Sequence, residues 1–259
     1  MTTESDNNGT DFVQSLARGL AVITAFSEES PTMTLTEVAE KTGLTRATAR
    51  RFLLTLESLG YVRAQGKGFS LTPLVMNLGY SYLASQGLSQ IIAPHLADLS
   101  AQVHESASAA ILDGGDIVYI ARAAGRKIMQ VQITLGTRFP AYATSMGRVL
   151  LADLNAADST DILEGSAPRA LTAKTITDVR ELAKEIGRVR EQGYAFVDQE
   201  LEVGLRSLAV PVRDRNGRVL AAINVSTTAS TPAQEALGAL LEPLRACAEL
   251  IEAGLALQA

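Results

Sequence analysis

The sequence has very few of the residues from which disulfides, zinc sites and many catalytic centres are built. Its 259 residues include one cysteine, two histidines and no tryptophan. The single cysteine, Cys247, excludes a disulfide framework, and so few cysteines and histidines exclude a Cys/His zinc site. Neither His95 nor His104 stands beside a serine or cysteine in a nucleophile motif, so we expect both to be ordinary helix residues. We therefore predict no catalytic residue, no metal and no cofactor.

Long apolar runs are also missing. No stretch approaches the ~18 uncharged apolar residues that a membrane span requires, and the first residues, MTTESDNNGTD, are polar and acidic, unlike a signal or transit peptide. The sequence thus predicts a protein of the reducing cytoplasm with no membrane partner. A hydrophobic fraction of 47% is ample for buried cores, and a length of 259 residues is typical of two domains. We expect residues 1–11 to be disordered.

An excess of positive charge is missing from the chain as a whole but is present locally. The net charge is -5, which alone argues against a polyanionic partner. Residues 12–73, however, carry seven Lys or Arg against five Asp or Glu, whereas residues 74–259 carry sixteen against twenty. Between residues 46 and 67 the only acid is Glu57, and the cations are Arg46, Arg50, Arg51, Arg63 and Lys67. Such a local cluster is typical of a small nucleic-acid-binding module attached to a larger domain.

The residues around this basic cluster follow a helix-turn-helix pattern. Residues 12–26 repeat apolar side chains at helical spacing, which predicts a first helix. A short second helix follows, which Thr34 or Thr36 caps and Gly43 ends. Thr45 can cap the next helix, whose buried stripe at i, i+3, i+4 and i+7 consists of Ala49, Phe52, Leu53 and Leu56. Two helices joined by a short turn that contains glycine indicate a helix-turn-helix.

A hairpin completes this module. In GYVRAQGKGFSLT, apolar residues flank the turn Gly66-Lys67-Gly68, so we predict two strands with a basic tip. A helix-turn-helix followed by such a hairpin is a winged helix. Pro73 closes the module, and the predicted DNA-binding domain is therefore residues 12–73.

The start of the third predicted helix is suited to reading DNA. In a helix-turn-helix, the first residues of the second helix reach base edges in the major groove while its rear half packs on the core. Arginine contacts guanine through two hydrogen bonds and also pairs with phosphate, and free amides at a helix start can hold a phosphate. The predicted DNA contacts are Arg18, Thr45, Arg46, Ala47, Thr48, Arg50, Arg51 and Lys67. Any one of these arginines is equally explained as a solvated surface residue, but their joint pattern favours DNA binding. Leu54 also points outward, and the sequence leaves open whether it contacts DNA, the first helix or a partner chain.

The segment after the winged helix predicts a linker and an oligomer. Residues 74–105 have helical periodicity nearly throughout, with more apolar surface than one side of a linker helix needs. We assign residues 74–87 to the linker helix, which is a candidate contact between two copies of the chain. Specific operators usually present two half-sites that match the symmetry of the protein. We therefore predict a homodimer or homotetramer on double-stranded operator DNA.

From residue 106 onward the apolar period changes to that of strands. We predict strands for SASAAILD, DIVYIARA and IMQVQITL, the first two joined by a hairpin turn at residues 113–116. Two later strands, LRSLAVPVRD and RVLAAINVST, flank Asn216-Gly217, which favours a type I′ hairpin. Helices are predicted for SMGRVLLADL, residues 178–192 and residues 231–253. Helices around an antiparallel sheet of about six strands make residues 88–259 an α+β domain.

Taken together, these stretches resemble the IclR family of bacterial transcriptional regulators. The resemblance runs over nearly the whole chain from Phe12, and its order and spacing are specific. It is carried by LTEVAEKTGLTRATARRFLLTLESLGYV, PAYATSMGRVLLA and GYAFVDQELEVGLRSLAVPVRDRNGRVLAAINVS. The resemblance implies an N-terminal winged helix-turn-helix, a linker helix and a C-terminal, effector-binding domain similar to the GAF fold.

A narrower likeness points to a subgroup of this family. SLARGLAVITAF, RFLLTLESLGYV, SLTPLVMNLGYSYL and FPAYATSMGRVLLA resemble the regulators of protocatechuate and 4-hydroxybenzoate catabolism through the β-ketoadipate pathway. The likeness implies an effector such as β-ketoadipate or protocatechuate. One alternative is a repressor of the same family that responds to another small carboxylate, such as glyoxylate or pyruvate. An enzyme acting on a small acid is the alternative from another class, and the missing nucleophile, metal and cofactor motifs argue against it.

The resemblance also implies where the effector binds. The main-chain amides of Ser145 and Met146 are expected to hold a carboxylate, and a helix start favours an anion on physical grounds. Asp198 stands in the acidic stretch after GYAF, although Val197 occupies a position where some members have another acid. Ser207 fills a position that is often Cys or Ser.

The last predicted strand supplies two further candidates for the effector pocket. Asn224 and Ser226 alternate with apolar residues, so both point to one face of the sheet, and some members have Ser in place of Asn224. These side chains and Ser207 are equally explained as satisfied buried polar groups. For a dicarboxylate, Arg122 and Arg148 are the candidate cations, and for each the competing interpretation is a surface or structural arginine.

Overall fold

The computed structural model describes residues 12–27, 29–75, 78, 88–125 and 133–258. The chain divides into two compact units, Met1–Tyr82 and Leu83–Ala259. This division falls inside the predicted linker 74–87, most of which lies outside the described residues. The predicted domain boundaries therefore stay predictions.

The first unit combines helices with a small antiparallel sheet. Its helices are α1 (Gln14–Thr24), α2 (Leu35–Thr42) and α3 (Arg46–Ser58), followed by a 3-10 turn at Pro73–Val75. Its strands are β1 (Thr32–Thr34), β2 (Val62–Gln65) and β3 (Gly68–Leu71), in the order β1-β3-β2. Gln65 pairs with Gly68, which leaves Gly66 and Lys67 as a two-residue turn. The predicted wing is confirmed, and β1 adds a third strand that the sequence did not indicate.

The sequence explains where α2 and α3 begin and end. Thr34 and Glu37 form a capping box at the start of α2, because each side chain binds the backbone amide of the other. The hydrogen bonds from Thr34 hold the pKa of the Glu37 carboxyl below its usual value. Gly43 ends α2 with a left-handed φ of 66°. The Thr45 hydroxyl accepts a hydrogen bond from the Thr48 amide at 3.2 Å and caps α3, as predicted.

The second unit is a six-stranded antiparallel sheet with helices on both faces. The strands are β4 (Ser106–Asp113), β5 (Asp116–Ala123), β6 (Arg138–Pro140), β7 (Ala195–Asp198), β8 (Leu205–Arg213) and β9 (Val219–Thr228), in the order β6-β5-β4-β9-β8-β7. The helices are α4 (Leu88–Val103), α5 (Ser145–Asp153), α6 (Ala156–Gly165), α7 (Val179–Gln192) and α8 (Ala233–Gln258). The predicted α+β class is confirmed. None of the helices in the described ranges is both long and apolar enough to cross a membrane.

The two faces of this sheet have separate cores. Helices α4 and α8 cover one face, in a cluster that includes Leu96, Leu99, Ile223, Val225, Leu244 and Ile251. Helices α5 and α7 cover the other face, in a cluster that includes Ala110, Met146, Leu151, Leu182, Ala209 and Ala222. Each strand in the middle of the sheet is therefore buried on both sides, and successive residues along it face different helices.

In this unit, one predicted strand is largely untested and one predicted helix residue is wrong. The predicted strand IMQVQITL lies mostly outside the described residues, and its last residues, 133–135, are not in a strand. They lead instead into a turn in which the Thr137 amide binds the Thr134 carbonyl, and Gly136 has a φ of 84°. Among the described strands, β6 forms the edge beside β5, and β7 forms the opposite edge. His104, predicted as a helix residue, lies just after α4 with a φ of 58°.

The connection between β8 and β9 is a hairpin, but its turn is not of type I′. A type I′ turn needs positive φ at both central residues, whereas Gly217 has a φ of 80° and Asn216 is not in that region. The Asp214 carboxylate accepts hydrogen bonds from the amides of Asn216 and Arg218, at 2.8 and 3.0 Å. These bonds favour an ordinary turn that ends in a left-handed glycine, and they explain the difference from the prediction.

Candidate functional site

Helix α3 presents a buried face and an exposed, cationic one. Ala49, Leu53 and Leu56 are buried in the core of the first unit. Most of the predicted DNA contacts at the start of the helix are exposed: Thr45, Arg46, Ala47, Arg50 and Arg51. Thr48 is half-buried, and its hydroxyl lies 2.8 Å from that of Thr45. The capping residue therefore also orients the first turn of the exposed face.

Within the described residues, the predicted DNA-contacting cations of this unit have no acidic partner. Lys67 is exposed at the tip of the wing, and Arg18 is exposed on α1. Across the described residues no ion pair or side-chain hydrogen bond engages the predicted DNA-contacting cations Arg18, Arg46, Arg50, Arg51 and Lys67. We define these five cations with Thr45, Ala47 and Thr48 as the cationic surface. Leu54 is 40% exposed and lies outside the core cluster of this unit, so its partner stays open.

In the second unit, the strand register brings four of the eight predicted effector residues to one face of the sheet. Residues directly opposite each other in an antiparallel pair share a face. Ser108 pairs with Arg122 on β5 and with Asn224 on β9. In the next row Ser226 pairs with both Ser106 and Ser207. We define the polar face of the sheet by these residues: Ser106, Ser108, Arg122, Ser207, Asn224 and Ser226.

The polar face lies on the side of the sheet that α5 covers. Ala209, which pairs with Asn224, belongs to the same buried cluster as Met146 of α5. Ile223 and Val225, on either side of Asn224 in the chain, belong to the cluster of α4 and α8. The structure therefore places the predicted residues of α5 and of the sheet on the same side. Ser106 and Ser108 were not predicted, although their alternation in SASAA is a signal for one face of a strand.

The start of α5 has two main-chain amides without a hydrogen-bond acceptor in the described structure. The first amides of a helix have no partner within it. The Thr144 side chain and carbonyl accept hydrogen bonds from the amides of Gly147 and Arg148, at 3.1 Å each. Among the residues that the structure describes, none accepts a hydrogen bond from the amides of Ser145 and Met146, and both residues are fully buried. Partial positive charge at a helix start favours an anion there.

Two buried polar atoms beside this helix start have no partner. Within the described parts of the chain, neither the Ser145 hydroxyl nor the Asn224 side-chain oxygen has a hydrogen bond. Buried polar atoms are nearly always paired with protein, water or a ligand. A polar molecule that reached the Ser145 hydroxyl and the Asn224 oxygen would therefore gain hydrogen bonds.

The two candidate arginines have different environments. Arg148 is 1% exposed, and its guanidinium donates hydrogen bonds to Glu200 at 2.6 Å and to the Tyr142 carbonyl at 3.0 Å. This is the environment of a structural arginine. Arg122 is half-buried, has no ion pair or hydrogen bond in the described structure, and has a pKa that burial lowers and Tyr119 partly restores. A half-buried cation without a carboxylate favours an incoming anion.

Asp198 lies at the end of β7 and does not join the polar face. Its neighbour Val197 pairs with Ser207 and shares that face, so Asp198 points to the other side. Its carboxylate contacts Lys174 at 2.6 Å and Arg206 at 2.5 Å. Burial alone would raise the pKa of Asp198, but hydrogen bonds from Arg206, Lys174 and Gln199 outweigh it and lower that pKa to about 2. This geometry gives no support to the predicted contact between Asp198 and the effector.

Both parts of the chain match models of one protein family. Residues 15–66 match the IclR helix-turn-helix domain, and residues 80–253 match the C-terminal part of the bacterial transcriptional regulator IclR. The second match alone spans more than half of the chain.

Within the described residues, no group of three or more His, Cys, Asp and Glu side chains is placed to hold a metal ion.

Individual relatives agree with this assignment. Over 218 residues the chain is 47% identical to the Pca regulon regulatory protein of Pseudomonas putida, a match that covers 84% of this chain and 75% of that protein. Over 219 residues it is 36% identical to the p-hydroxybenzoate hydroxylase transcriptional activator of Acinetobacter baylyi, covering 83% and 81%. The crystal structure of a proposed transcriptional regulator from Rhodococcus sp. RHA1 is 53% identical, with a TM-score of 0.85 and coverage of 94% and 98%. The chain therefore belongs to the IclR family of bacterial transcriptional regulators, which are not enzymes.

Proposed function

We propose that this chain controls genes for the catabolism of protocatechuate or a related aromatic acid, by binding operator DNA and responding to a small carboxylate. The relatives named for the Pca regulon and for p-hydroxybenzoate hydroxylase support the gene class. The DNA-binding part of the proposal rests on the exposed cations at the start of the capped helix α3, for which the described part of the chain contains no acidic partner. Because operators lie on the bacterial chromosome, the protein acts in the cytoplasm.

The cationic surface supplies both affinity and specificity. Arg46 and Arg50 lie at the start of α3, where a recognition helix contacts base edges, and each bidentate contact to a base discriminates by about 1–3 kcal/mol. Lys67 at the wing tip and Arg18 on α1 are suited to phosphates, which position the protein without reading sequence. Thr45 and Thr48 stabilise the first turn of α3, so that the arginines enter the major groove from a rigid backbone.

The acting form is a homodimer or homotetramer. Two copies place two α3 helices on two half-sites of an operator. Helix α1 and the two residues before it carry apolar side chains that are half or more exposed, and a second copy would cover them: Phe12 at 55%, Val13 at 59%, Leu16 at 63% and Leu20 at 50%. The predicted contact through the linker lies mostly outside the described residues, although Leu74 and Leu78 are also exposed.

The effector binds between α5 and the polar face. Its carboxylate accepts hydrogen bonds from the amides of Ser145 and Met146, and Arg122 supplies the positive charge. Asn224 and Ser207 contact the remainder of the molecule. β-Ketoadipate and protocatechuate both fit this chemistry, because each carries a carboxylate and further polar groups. The effector acts by binding one arrangement of the two DNA-binding heads more tightly than the other, since only differential affinity shifts a population.

Calorimetric titration of the full-length protein directly tests the proposal that it binds a small carboxylate effector. The ligands are β-ketoadipate, protocatechuate, 4-hydroxybenzoate and glyoxylate, each added with and without a DNA fragment from the promoter of the chain's own gene. We expect one of the first three to bind, and its affinity to change when DNA is present. Binding of glyoxylate alone would contradict the assignment to aromatic catabolism, and binding of none of the four would contradict the effector site.

A further inference from the structure

A single buried side chain connects the start of α5 to the loop after β7. Arg148 lies one turn after Ser145, and its guanidinium reaches in two directions. One nitrogen, Nε, donates to the Tyr142 carbonyl, which precedes the helix, at 3.0 Å. Another, Nη2, binds Glu200 at 2.6 Å, across 52 residues of sequence. The segment that carries the free amides is thereby tied to the loop between β7 and β8.

Glu200 extends this connection to a third segment. Its carboxylate also accepts a hydrogen bond from the Ile176 amide at 3.0 Å. Its carbonyl accepts one from the Thr175 hydroxyl at 2.6 Å, and the carbonyl of Gln199 accepts one from the Thr172 hydroxyl at 2.7 Å. The loop before α7 and the loop after β7 are therefore held together at Glu200, and Arg148 joins both to α5.

The start of α5 has little freedom to move relative to the residues before it. A Cβ atom at Gly147 would lie 2.2 Å from the Ala141 carbonyl oxygen, so only glycine permits this approach. Arg148 and Glu200 are both buried, with 2% and 9% of their side chains exposed. A buried ion pair is weak evidence for stability, because desolvation offsets much of the attraction, and its best-attested role is to specify one arrangement.

We propose that Arg148 and Glu200 are positioning residues for the effector. Their ion pair holds the amides of Ser145 and Met146 in the orientation that receives a carboxylate, without touching the ligand. The inference rests on the effector site proposed above and explains why a buried arginine stands three residues after Ser145. It replaces direct pairing of Arg148 with the effector, because Nε and Nη2 of its guanidinium already bind the Tyr142 carbonyl and the Glu200 carboxylate.

The test compares a carboxylate with its neutral analogue in the full-length protein. The probes are β-ketoadipate, protocatechuate and 4-hydroxybenzoate, each beside the corresponding carboxamide. The double variant Arg148→Met/Glu200→Leu removes both charges and leaves no buried charge unpaired, so we expect it to fold. In the double variant the amides of Ser145 and Met146 should be displaced. We expect this displacement to weaken binding of the acid about tenfold and binding of the carboxamide about twofold or less. A general loosening of the site would weaken both ligands equally.

A matched control lies at the other end of the same helix. Asp153 ends α5, pairs with Arg213 at 3.1 Å and accepts a hydrogen bond from the Val219 amide. Asp153→Asn should leave the affinities for acid and carboxamide within about twofold of wild type, because it does not act on the amides at the helix start. If the double variant does not fold, Arg148→Lys serves instead. It keeps the charge but cannot hold Glu200 and the Tyr142 carbonyl in the same geometry.

The outcomes separate this inference from the proposed function. Selective loss of the acid in the double variant, or in Arg148→Lys, with normal binding by Asp153→Asn, supports positioning. If the double variant keeps the preference for acid over carboxamide, or if Asp153→Asn loses as much affinity for the acid, the positioning role is wrong. The proposed effector site would not be contradicted by either result. If wild type binds none of the three acids, both the effector site and this inference are wrong.

Discussion

At the scale of single residues, chemically identical side chains have opposite roles according to their surroundings. Arg50 is exposed on α3 with no acidic partner in the described structure, whereas Arg148 is buried and bound to Glu200. Their immediate sequence contexts do not distinguish them. The sequence predicted the exposure of Arg50, because the apolar period of α3 and its cap are patterns that extend over the whole helix. It could not indicate the partner of Arg148, because Glu200 is 52 residues away and meets it only through tertiary packing.

Arg50→Ala should weaken operator binding while leaving the fold intact. If Arg50 reads a base, we expect a loss of about 1–3 kcal/mol in binding free energy. The melting temperature should stay close to that of wild type, because the side chain is exposed and unpaired. Fluorescence anisotropy with an operator fragment measures the first quantity, and calorimetry the second. Arg180→Ala, an exposed arginine on α7, is the control, and wild-type affinity in Arg50→Ala would contradict the assigned surface.

Asp198 should make the protein lose stability in acid. Its folded-state pKa of about 2 lies below the ordinary value of 3.8. A depressed carboxyl pKa stabilises the folded state above the unfolded-state pKa, and this stabilisation is lost as the pH falls from about 4 toward 2. We expect a modest effect, because 30% of the Asp198 side chain is exposed and solvent screens the ion pairs.

Urea unfolding of wild type and Asp198→Asn between pH 7 and pH 2.5 measures this contribution. The stability difference between the two proteins should shrink as the pH falls below about 4. Asp161→Asn, an exposed residue of α6, controls for the general effect of removing a carboxylate. A difference between wild type and Asp198→Asn that stays constant down to pH 2.5 would show that the ion pairs with Lys174 and Arg206 do not stabilise the fold.

At the scale of helices and strands, the elements with strong local signals were predicted and the others were not. The capped helices α2, α3 and α7 and the long strands β4, β5, β8 and β9 lie close to their predicted positions. The short strands β1 and β7 were missed, since their few residues carry no clear period. Helix α6 was also missed, although Asn155 caps it. The polar face depends on register, which pairs Ser108 with Asn224. Alternation predicted that Asn224 and Ser226 share a face, but only the pairing shows which residues lie beside them.

Gly147→Ala should destabilise the second unit through a backbone clash. The added methyl group would lie 2.2 Å from the Ala141 carbonyl oxygen, and neither segment can move without breaking the contacts of Arg148. We expect the free energy of unfolding to fall by about 1–3 kcal/mol or more. Gly187→Ala in the middle of α7 is the matched control, because nothing lies within 4 Å of its Cβ position.

The control should stabilise the protein by up to about 1 kcal/mol, since alanine favours a helix more than glycine does. Chemical denaturation of both variants measures these changes. If the two variants had equal stability, the close packing of α5 against Ala141 would be wrong.

Ser207→Leu should separate the effector response from DNA binding. Ser207 is half-buried on the polar face and pairs with Ser226. A leucine there fills space facing α5 and removes a hydroxyl, so we expect the effector to have no further influence on operator affinity. Operator affinity without effector should stay near wild type. Thr228→Leu, at the exposed end of β9, is the control, and an intact effector response in Ser207→Leu would place the pocket elsewhere.

At the scale of the whole molecule, the chain combines a cationic module with a larger acidic domain. The net charge of -5 conceals this division, which only the distribution of charge along the sequence reveals. The resemblance to the IclR family predicted the order of the two parts, and the family models match them at residues 15–66 and 80–253. The assembly of copies could not be predicted from the sequence in the same way, because an apolar surface such as that of α1 does not specify its partner or the number of copies.

The central claim is that the cationic surface binds operator DNA and that an effector in the second unit changes this binding. The most direct measurement is the affinity of the full-length protein for DNA from its own promoter, at several salt concentrations, with and without β-ketoadipate or protocatechuate. We predict that affinity falls by about a thousandfold or more between about 50 and 200 mM salt, as expected for several phosphate contacts by each of two heads. We also predict that one of the two acids shifts the affinity at fixed salt. Binding that is absent or insensitive to salt, or that neither acid changes, would contradict the account.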